Sequence, residues 1–325
     1  MSVLVTGVAG FIGSYVCREL LARGETVIGI DSLTHYYDPQ LKQARLAALI
    51  GIADFTFIKC DIADREALET VAAGRSIDRV VHLAAQAGVR YSLEQPRTYI
   101  RANVVGHLEV LELCRNLPGF KHLVYASSSS VYGGNKKVPF SEDDRVDTPV
   151  SLYAATKKAD ELIGHVYSHL YGIPQTGLRF FTVYGPMGRP DMAYWSFTKN
   201  IIEGKPIQVF NNGEMWRDFT YIDDIVKGTI AALDNPPKEG NQGALHRIYN
   251  IGNSQPEKLS RFIDVLEDVI GKKAIREMAP MQPGDVVQTF ADTSAIERDF
   301  GFKPSTPLEV GLTSFVVWYR DYFNV

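Results

Sequence analysis

The sequence predicts an α/β protein built on a doubly wound parallel sheet, with a smaller C-terminal lobe. Three observations carry this. Short apolar runs alternate with longer amphipathic stretches through the first half of the chain. A glycine-spaced turn follows the first of these runs. After about Arg179 the alternation gives way to shorter, mixed segments.

Val3–Thr6, Thr26–Ile30, Phe55–Lys59, Arg79–Leu83 and His122–Ala126 read as buried strands. Each is a brief, nearly continuous apolar run, as expected when both faces of a strand are covered. Phe11–Arg23, Arg65–Ala73, Tyr99–Asn116 and Leu152–Tyr171 carry apolar residues at helical spacing. Parallel sheets of this kind bind ligands beyond the carboxyl ends of their strands. Gly7 onward, Asp31, Asp61, Ala84–Ala85 and Ser127–Ser130 should therefore face one crevice. Beyond LRFF, the segment VYGPMGRPDM is rich in Gly and Pro and reads as loop. A helix near Ser196–Glu203, a strand at Ile207–Phe210 and helices at Asp223–Leu233, Leu259–Ile270 and Leu308–Tyr322 follow, with a polar stretch at Asn235–Gly243.

Bulk properties narrow the function. A formal net charge of -4 over 325 residues gives no reason to expect a nucleic-acid or membrane-surface partner. Cys17, Cys60 and Cys114 are scattered and odd in number, which disfavours both a disulfide framework and a thiolate zinc site. Buried free thiols are the expectation. No apolar stretch approaches the ~20 residues needed to span a bilayer, and no charged leader precedes the first strand. A cytoplasmic protein is expected. His165 and His169 are spaced i, i+4 but lack an HExxH context, so no metal is expected. His82 lies within a strand and reads as a core histidine.

Gly7, Gly10 and Gly13 lie in VLVTGVAGFIG, between a strand and a helix. Glycines there let the backbone approach a pyrophosphate, and the helix N-terminus supplies unpaired N–H groups and positive dipole. A purely structural glycine turn is the competing reading. Asp31, at the end of the next strand, strengthens the nucleotide reading. A carboxylate there accepts from an adenosine ribose and repels a 2′-phosphate, which favours NAD over NADP. Its competing reading is a turn cap. Asp61 bonds an adenine edge or caps a helix.

Tyr153 and Lys157 stand at i and i+4 of one predicted helix. A free phenol, with pKa about 10, is a poor base near neutrality. A neighbouring ammonium favours the phenolate and suits the pair to general-base work on a sugar hydroxyl. The pair alone is common in helices. It gains meaning from Ser127–Ser130 at a strand end, where a hydroxyl can bond both phenol and substrate.

Gly7/Gly10/Gly13, Asp31, HLAAQAGVRYS, ASSSSVYG, Tyr153/Lys157, RFFTVYGP and RDFTYIDD occur in order along nearly the whole chain. Together they resemble the extended short-chain dehydrogenase/reductase superfamily, a Rossmann fold, and within it the UDP-sugar 4-epimerases. AAQAGVRYSLE, SLYAATKKA, LRFFTVYGPMGRPDM and MQPGDV resemble the UDP-glucuronate 4-epimerases. The resemblance implies an NAD-binding domain over residues 1–180 and a UDP-sugar lobe over 181–325, with residues near 211–235 returning to the first. It implies a cofactor site of Gly7, Gly10, Phe11, Ile12, Gly13, Asp31, Ser32, Asp61, Ile62, Leu83, Ala84, Ala85 and Asn103, completed by Tyr153 and Lys157. It implies oxidation at C4 with Tyr153 as base and Ser128 assisting, rotation of the 4-keto sugar, and reduction from its other face. It also implies a homodimer, formed through the helices Tyr99–Asn116 and Leu152–Tyr171.

Related dehydratases carry Asp-Glu where Ser129 and Ser130 stand, and related decarboxylases carry Glu where Ser130 stands. Serine cannot easily supply that acid/base chemistry, so simple hydride return is expected. A 4-keto uronate is a β-keto acid and loses CO2 unless its carboxylate is restrained. Ser127, Ser128, Ser129, Thr182 and Arg189 are the expected clamp, since Arg grips a carboxylate through two bonds. A loop salt bridge is the other reading of Arg189. By the same resemblance Arg217 meets the diphosphate, Phe210 the uracil and Asp285 the ribose. Gln282 stands where related galactose epimerases have Arg, and Arg90 is the candidate replacement. UDP-galactose 4-epimerase and UDP-glucuronate decarboxylase are the competing activities. A non-catalytic NAD sensor predicts loss of Tyr153 or Lys157, and both are present.

Overall fold

A computed structural model describes residues 1–238, 243–281 and 285–325. The first half runs β1 (Ser2–Thr6), α1 (Phe11–Ala22), β2 (Thr26–Asp31), α2 (Pro39–Ala47), β3 (Phe55–Lys59), α3 (Arg65–Ala72) and β4 (Ile77–His82). Two single turns, α4 (Tyr91–Glu94) and α5 (Pro96–Tyr99), lead through a π-helical stretch, Ile100–Val105, into α6 (Gly106–Asn116). Then come β5 (His122–Ser128), α7 (Leu152–Tyr171) and β6 (Gln175–Phe180). The remainder is β7 (Thr182–Tyr184), α8 (Ala193–Glu203), β8 (Pro206–Phe210), β9 (Trp216–Tyr221), α9 (Ile222–Asp234), β10 (His246–Ile251), β11 (Pro256–Lys258), α10 (Leu259–Ile270), β12 (Ile275–Ala279), α11 (Ser294–Phe300) and α12 (Leu308–Phe323).

The main sheet has the order β10-β6-β5-β4-β1-β2-β3, and all its pairings are parallel. Val3, Leu4, Val5, Val80, Val81, Leu123 and Val124 are fully buried, which explains the continuous apolar runs. One apolar cluster joins Val3 and Val5 to α1 and α9, and another joins Leu4 and Val80 to α3 and α6. The sheet is thus sealed by helices on both faces. Strand order reverses between β1 and β4, and such a switch point opens a crevice at the strand ends. There Ala84 N donates to Thr6 Oγ1 at 3.1 Å and Leu83 N to Thr6 O at 3.2 Å.

A third cluster, centred on Trp195, Phe219, Phe262 and Phe315, packs α8, α10 and α12 against β8 and β9. The sheet β11-β9-β7 and the pair β12-β8 belong to this part of the chain. The helix α7 begins where the Ser151 side chain accepts from Ala154 N and ends at Gly172, whose φ of 66° closes it in the left-handed conformation.

Several elements depart from the sequence expectation. Tyr99–Asn116 is not one regular helix, because its first turns are π-helical. VYG is not all loop: Thr182–Tyr184 pairs with β9. The strand β10 was not foreseen, since HRIYNI carries His246, Arg247 and Asn250. His246 and Asn250 are nonetheless buried, His246 against Tyr125 and Asn250 against Tyr132. The helices α2 and α11 were also missed. The three cysteines are buried and free. Among the described residues, no helix is long and apolar enough to cross a membrane.

Candidate active site

A cleft of about 1010 Å³ runs along the carboxyl ends of β1, β2, β4 and β5 and out to Phe210 and Arg217. Its inner end is built for a dinucleotide. Gly7 has φ +73°, and a Cβ there would lie 2.7 Å from Ala84 N. A Cβ on Gly13 would lie 2.2 Å from Gly7 O. These close approaches admit only glycine. No side chain caps α1 at Gly10, so its first N–H groups are left for an anion. Phe11, Ile12, Ser32, Ile62, Leu83, Ala84 and Ala85 line the same wall. These features fit bound NAD.

Asp31 is buried and has two local duties: Oδ1 accepts from Leu33 N at 2.7 Å and Oδ2 from Ala9 N at 3.1 Å. The turn-cap and nucleotide readings are therefore compatible, because the carboxylate pins the glycine loop while still lining the cleft. Asp61 likewise lines it, caps the following turn through Ala63 N at 3.0 Å, and pairs with Arg101 at 2.7 Å.

Asn103 is held beside the cleft: its buried amide accepts from Gln86 N at 2.8 Å and donates to Gln86 O and Thr156 Oγ1. It thereby braces Gln86, which lines the cleft in the loop after β4.

Tyr153 and Lys157 stand on the first turns of α7 and both line the cleft. The Tyr153 ring meets the Tyr99 ring edge-on at 6.1 Å. Tyr99 is itself tied to Ala87 O at 2.9 Å. Lys157 is buried, with Nζ 2.8 Å from Ala126 O and 3.1 Å from Asp160 Oδ2. Burial pushes the Asp160 carboxyl up to about 6, against the pull of Lys157. Ser128 Oγ donates to Ser130 Oγ at 3.1 Å and accepts from Ser130 N at 3.2 Å. Ser129 and Ser130 line the same cleft.

Ser127 also lines the cleft, but its hydroxyl donates to Glu161 Oε1 at 2.7 Å in a buried network in which Glu161 takes two bonds from Arg179. That donor is engaged by Glu161, whereas the Ser128 hydroxyl faces Ser130.

At the outer end Thr182 and Arg189 line the cleft. Arg189 Nε donates to Asp191 Oδ1 at 3.1 Å, and Tyr36 Oη donates to Asp191 Oδ2 at 3.0 Å. The loop salt bridge considered for Arg189 is thus real, yet it lies within the cleft wall. Arg90 stacks on Phe210 at 5.3 Å and reaches Asp285 at 3.6 Å. This gathers three residues expected at the nucleotide end. Arg217 donates to Trp216 O and Val287 O. Burial lowers its pKa, with Asp285 opposing. Gln282 lies outside the described residues.

His82 is a core histidine, 2.7 Å from Thr6 Oγ1, its pKa pushed down to about 3 by burial. Sequence reasoning missed Tyr36, Lys42 and Asp191, which all line the cleft. It also missed Arg45, which donates to Ala9 O, Met187 O and Gly188 O and so ties the glycine loop to the Arg189 loop. Arg45 had a signal: it follows Lys42 by three residues in an unassigned stretch with helical spacing. Asp191 stood in GRPDM beside the residue that was singled out.

A glycine cradle, a strand-end aspartate and a Tyr–Lys pair sharing one cleft define an enzyme that works with a bound dinucleotide. The sequence profile of the NAD dependent epimerase/dehydratase family matches residues 3–252, and the chain belongs to that family. It is 49% identical to UDP-glucuronate 4-epimerase 1 of Arabidopsis thaliana over 334 residues, covering all of this chain and 78% of that one. It is 48% identical to protein CapI of Staphylococcus aureus, with both chains fully covered. The crystal structure of UDP-glucuronic acid 4-epimerase from Bacillus cereus, in complex with UDP-glucuronic acid and NAD, superimposes with a TM-score of 0.89 at 36% identity, covering 99% of this chain and 100% of that one.

Proposed function

We propose that this protein interconverts UDP-glucuronate and UDP-galacturonate by transient oxidation at C4. The observation that carries this is the company Tyr153 keeps. It shares its cleft with Ser129 and Ser130, where related dehydratases carry carboxylates, and with Thr182 and Arg189. No carboxylate stands at positions 128–130 to drive elimination or decarboxylation.

In this reading Tyr153 takes the C4 hydroxyl proton, holds it and gives it back to the same oxygen, and Ser128 hydrogen-bonds that oxygen throughout. Lys157, fixed by Ala126 O and Asp160, keeps positive charge beneath the phenol. NAD held in the glycine cradle would supply the redox chemistry at C4. Thr182, Ser128, Ser129 and Arg189 restrain the substrate carboxylate, so its C–C bond stays out of line with the ketone π system. Arg217 serves the diphosphate, Phe210 and Arg90 the uracil, and Asp285 the ribose. Residues 1–180 form the cofactor domain, and most of 181–325 forms the sugar-nucleotide lobe. A neutral-hexose 4-epimerase is the second reading, favoured by the carboxylate partner that Arg189 already has in Asp191. The exposed Leu162, Val166 and Leu170 on α7, near Val105 and Leu108 by α6, form an apolar face suited to a second copy of the chain.

The deciding experiment incubates purified protein with UDP-glucuronate, without added NAD, and follows the sugar by NMR. UDP-galacturonate is the expected product, and Arg189→Ala impairs its formation. A pentose product refutes the proposal. Activity confined to UDP-glucose and UDP-galactose selects the second reading.

A further inference from the structure

We infer that Asp191 is a built-in stand-in for the substrate's carboxylate. It occupies Arg189 until a uronate arrives, remains held by Tyr36 when displaced, and so sets how strongly the cleft prefers uronates to neutral hexoses. The inference rests on the reading of the site as a uronate 4-epimerase.

The geometry has three parts. First, Asp191 meets Arg189 through both carboxylate oxygens, at Nε and at Nη2. This is the two-pronged contact a uronate would need. The two side chains are 26% and 28% exposed, so the pair is reachable from the cleft. Second, the backbone around them is pinned. Arg45 holds Met187 O and Gly188 O, Tyr15 Oη donates to Pro186 O at 3.0 Å, and Arg189 N donates to Tyr194 Oη at 3.0 Å. Exchange of partners is therefore a side-chain event. Third, Asp191 has somewhere to stay. Tyr36 donates to Oδ2, and its ring packs against Tyr91 at 4.8 Å. The Tyr36 hydroxyl lies where Gly88 leaves room: a Cβ there would be 2.5 Å away. Burial and Asp191 together hold the Tyr36 phenol protonated, so it stays a donor.

In the exchange Asp191 gives up its cation and keeps one neutral donor, and that loss is the cost a uronate must meet. A uronate takes the guanidinium, and Asp191 keeps the phenol. A neutral hexose leaves Arg189 on Asp191, so no cation is stranded. Such a device trades uronate affinity for tolerance of neutral sugars, since Asp191 also repels an incoming carboxylate.

Two variants move the balance in opposite directions. Asp191→Asn removes the competing charge. It lowers KM for UDP-glucuronate about fivefold, the scale of one partly exposed ion pair, and it weakens UDP-glucose as a competitive inhibitor of that turnover. Tyr36→Phe removes the alternative partner of Asp191, tightens its hold on Arg189 and raises KM for UDP-glucuronate. Thermal melting and bound NAD report whether each variant is folded. If Asp191→Asn does not fold, Tyr36→Phe decides. An unchanged or raised KM in Asp191→Asn, or an unchanged or lowered KM in Tyr36→Phe, overturns the inference while leaving the activity intact. Absence of UDP-glucuronate turnover in the wild-type protein overturns both.

Discussion

Replacing Gly7 by alanine should cost both stability and cofactor, and the structure separates the two causes. Gly7 has φ +73°, and an added Cβ would fall 2.7 Å from Ala84 N and 2.9 Å from both Ala84 Cα and the Leu83 carbonyl carbon. The left-handed conformation costs an L-residue ~1–2 kcal/mol, and forcing a methyl into packed surroundings adds ~1–3 kcal/mol. The obstacle is the backbone after β4, which cannot swing aside. The loss is therefore about 2–5 kcal/mol of a typical total of ~5–15 kcal/mol. For a chain of 325 residues that corresponds to a fall in Tm of about 3–7 °C. Relief by separating β1 from β4 opens the turn expected to cradle the pyrophosphate, so purified Gly7→Ala should carry little NAD. Gly24→Ala is the control. Gly24 has φ +77° but nothing within 4 Å of a Cβ, so it bears the backbone cost alone. Differential scanning calorimetry and NAD released on denaturation give both readouts. A Gly7→Ala protein that melts with Gly24→Ala and keeps full NAD would refute the reasoning.

Three further outcomes follow from the buried charges and the phenol. Glu161→Gln strands Arg179 and the Ser127 hydroxyl, and should destabilise the protein by ~3–5 kcal/mol in urea melts; a loss below about 1 kcal/mol would remove the network from the account. The Arg179 pair holds the Glu161 carboxyl below its usual range despite burial, so this stabilisation is present above the unfolded-state pKa and fades as pH falls through the folded one. Asp160 has the opposite sign: its carboxyl is raised to about 6, so its contribution is complete below the unfolded value and is lost as pH rises to about 6. Asp160→Asn should flatten that slope in melts at successive pH values, and an unaltered slope counts against it. Tyr153→Phe should lower kcat by ~100-fold or more while leaving bound NAD unchanged; near-normal turnover would exclude Tyr153 as the base.

Much of the site was legible because single elements encode it. Gly7, Gly10 and Gly13 straddle one turn, and Tyr153 and Lys157 lie one helical turn apart on α7, which runs over the residues the spacing implied. The strand β10 was not legible, because its buried His246 and Asn250 look like surface residues until Tyr125 and Tyr132 are brought against them. The π-helical turn that carries Asn103 was not legible either, since Tyr99–Asn116 has the spacing of one regular helix. Ser127 and Ser128 both line the cleft, and only the contact with Glu161, far away in sequence, shows which hydroxyl is engaged.

The sequence by itself determined six of the seven strands of the main sheet, the phosphate turn and the Tyr–Lys pair, because each depends on periodicity or on residues a few positions apart. The tertiary structure decided the partners. Tyr36 and Asp191 are 155 positions apart, and Arg45 and Met187 are 142 apart. No local pattern couples such pairs. They meet because the main sheet carries the loop after β2, and the small sheet β11-β9-β7 the loop after β7, to the same cleft, and it is there that Arg189 acquires the carboxylate a substrate must displace.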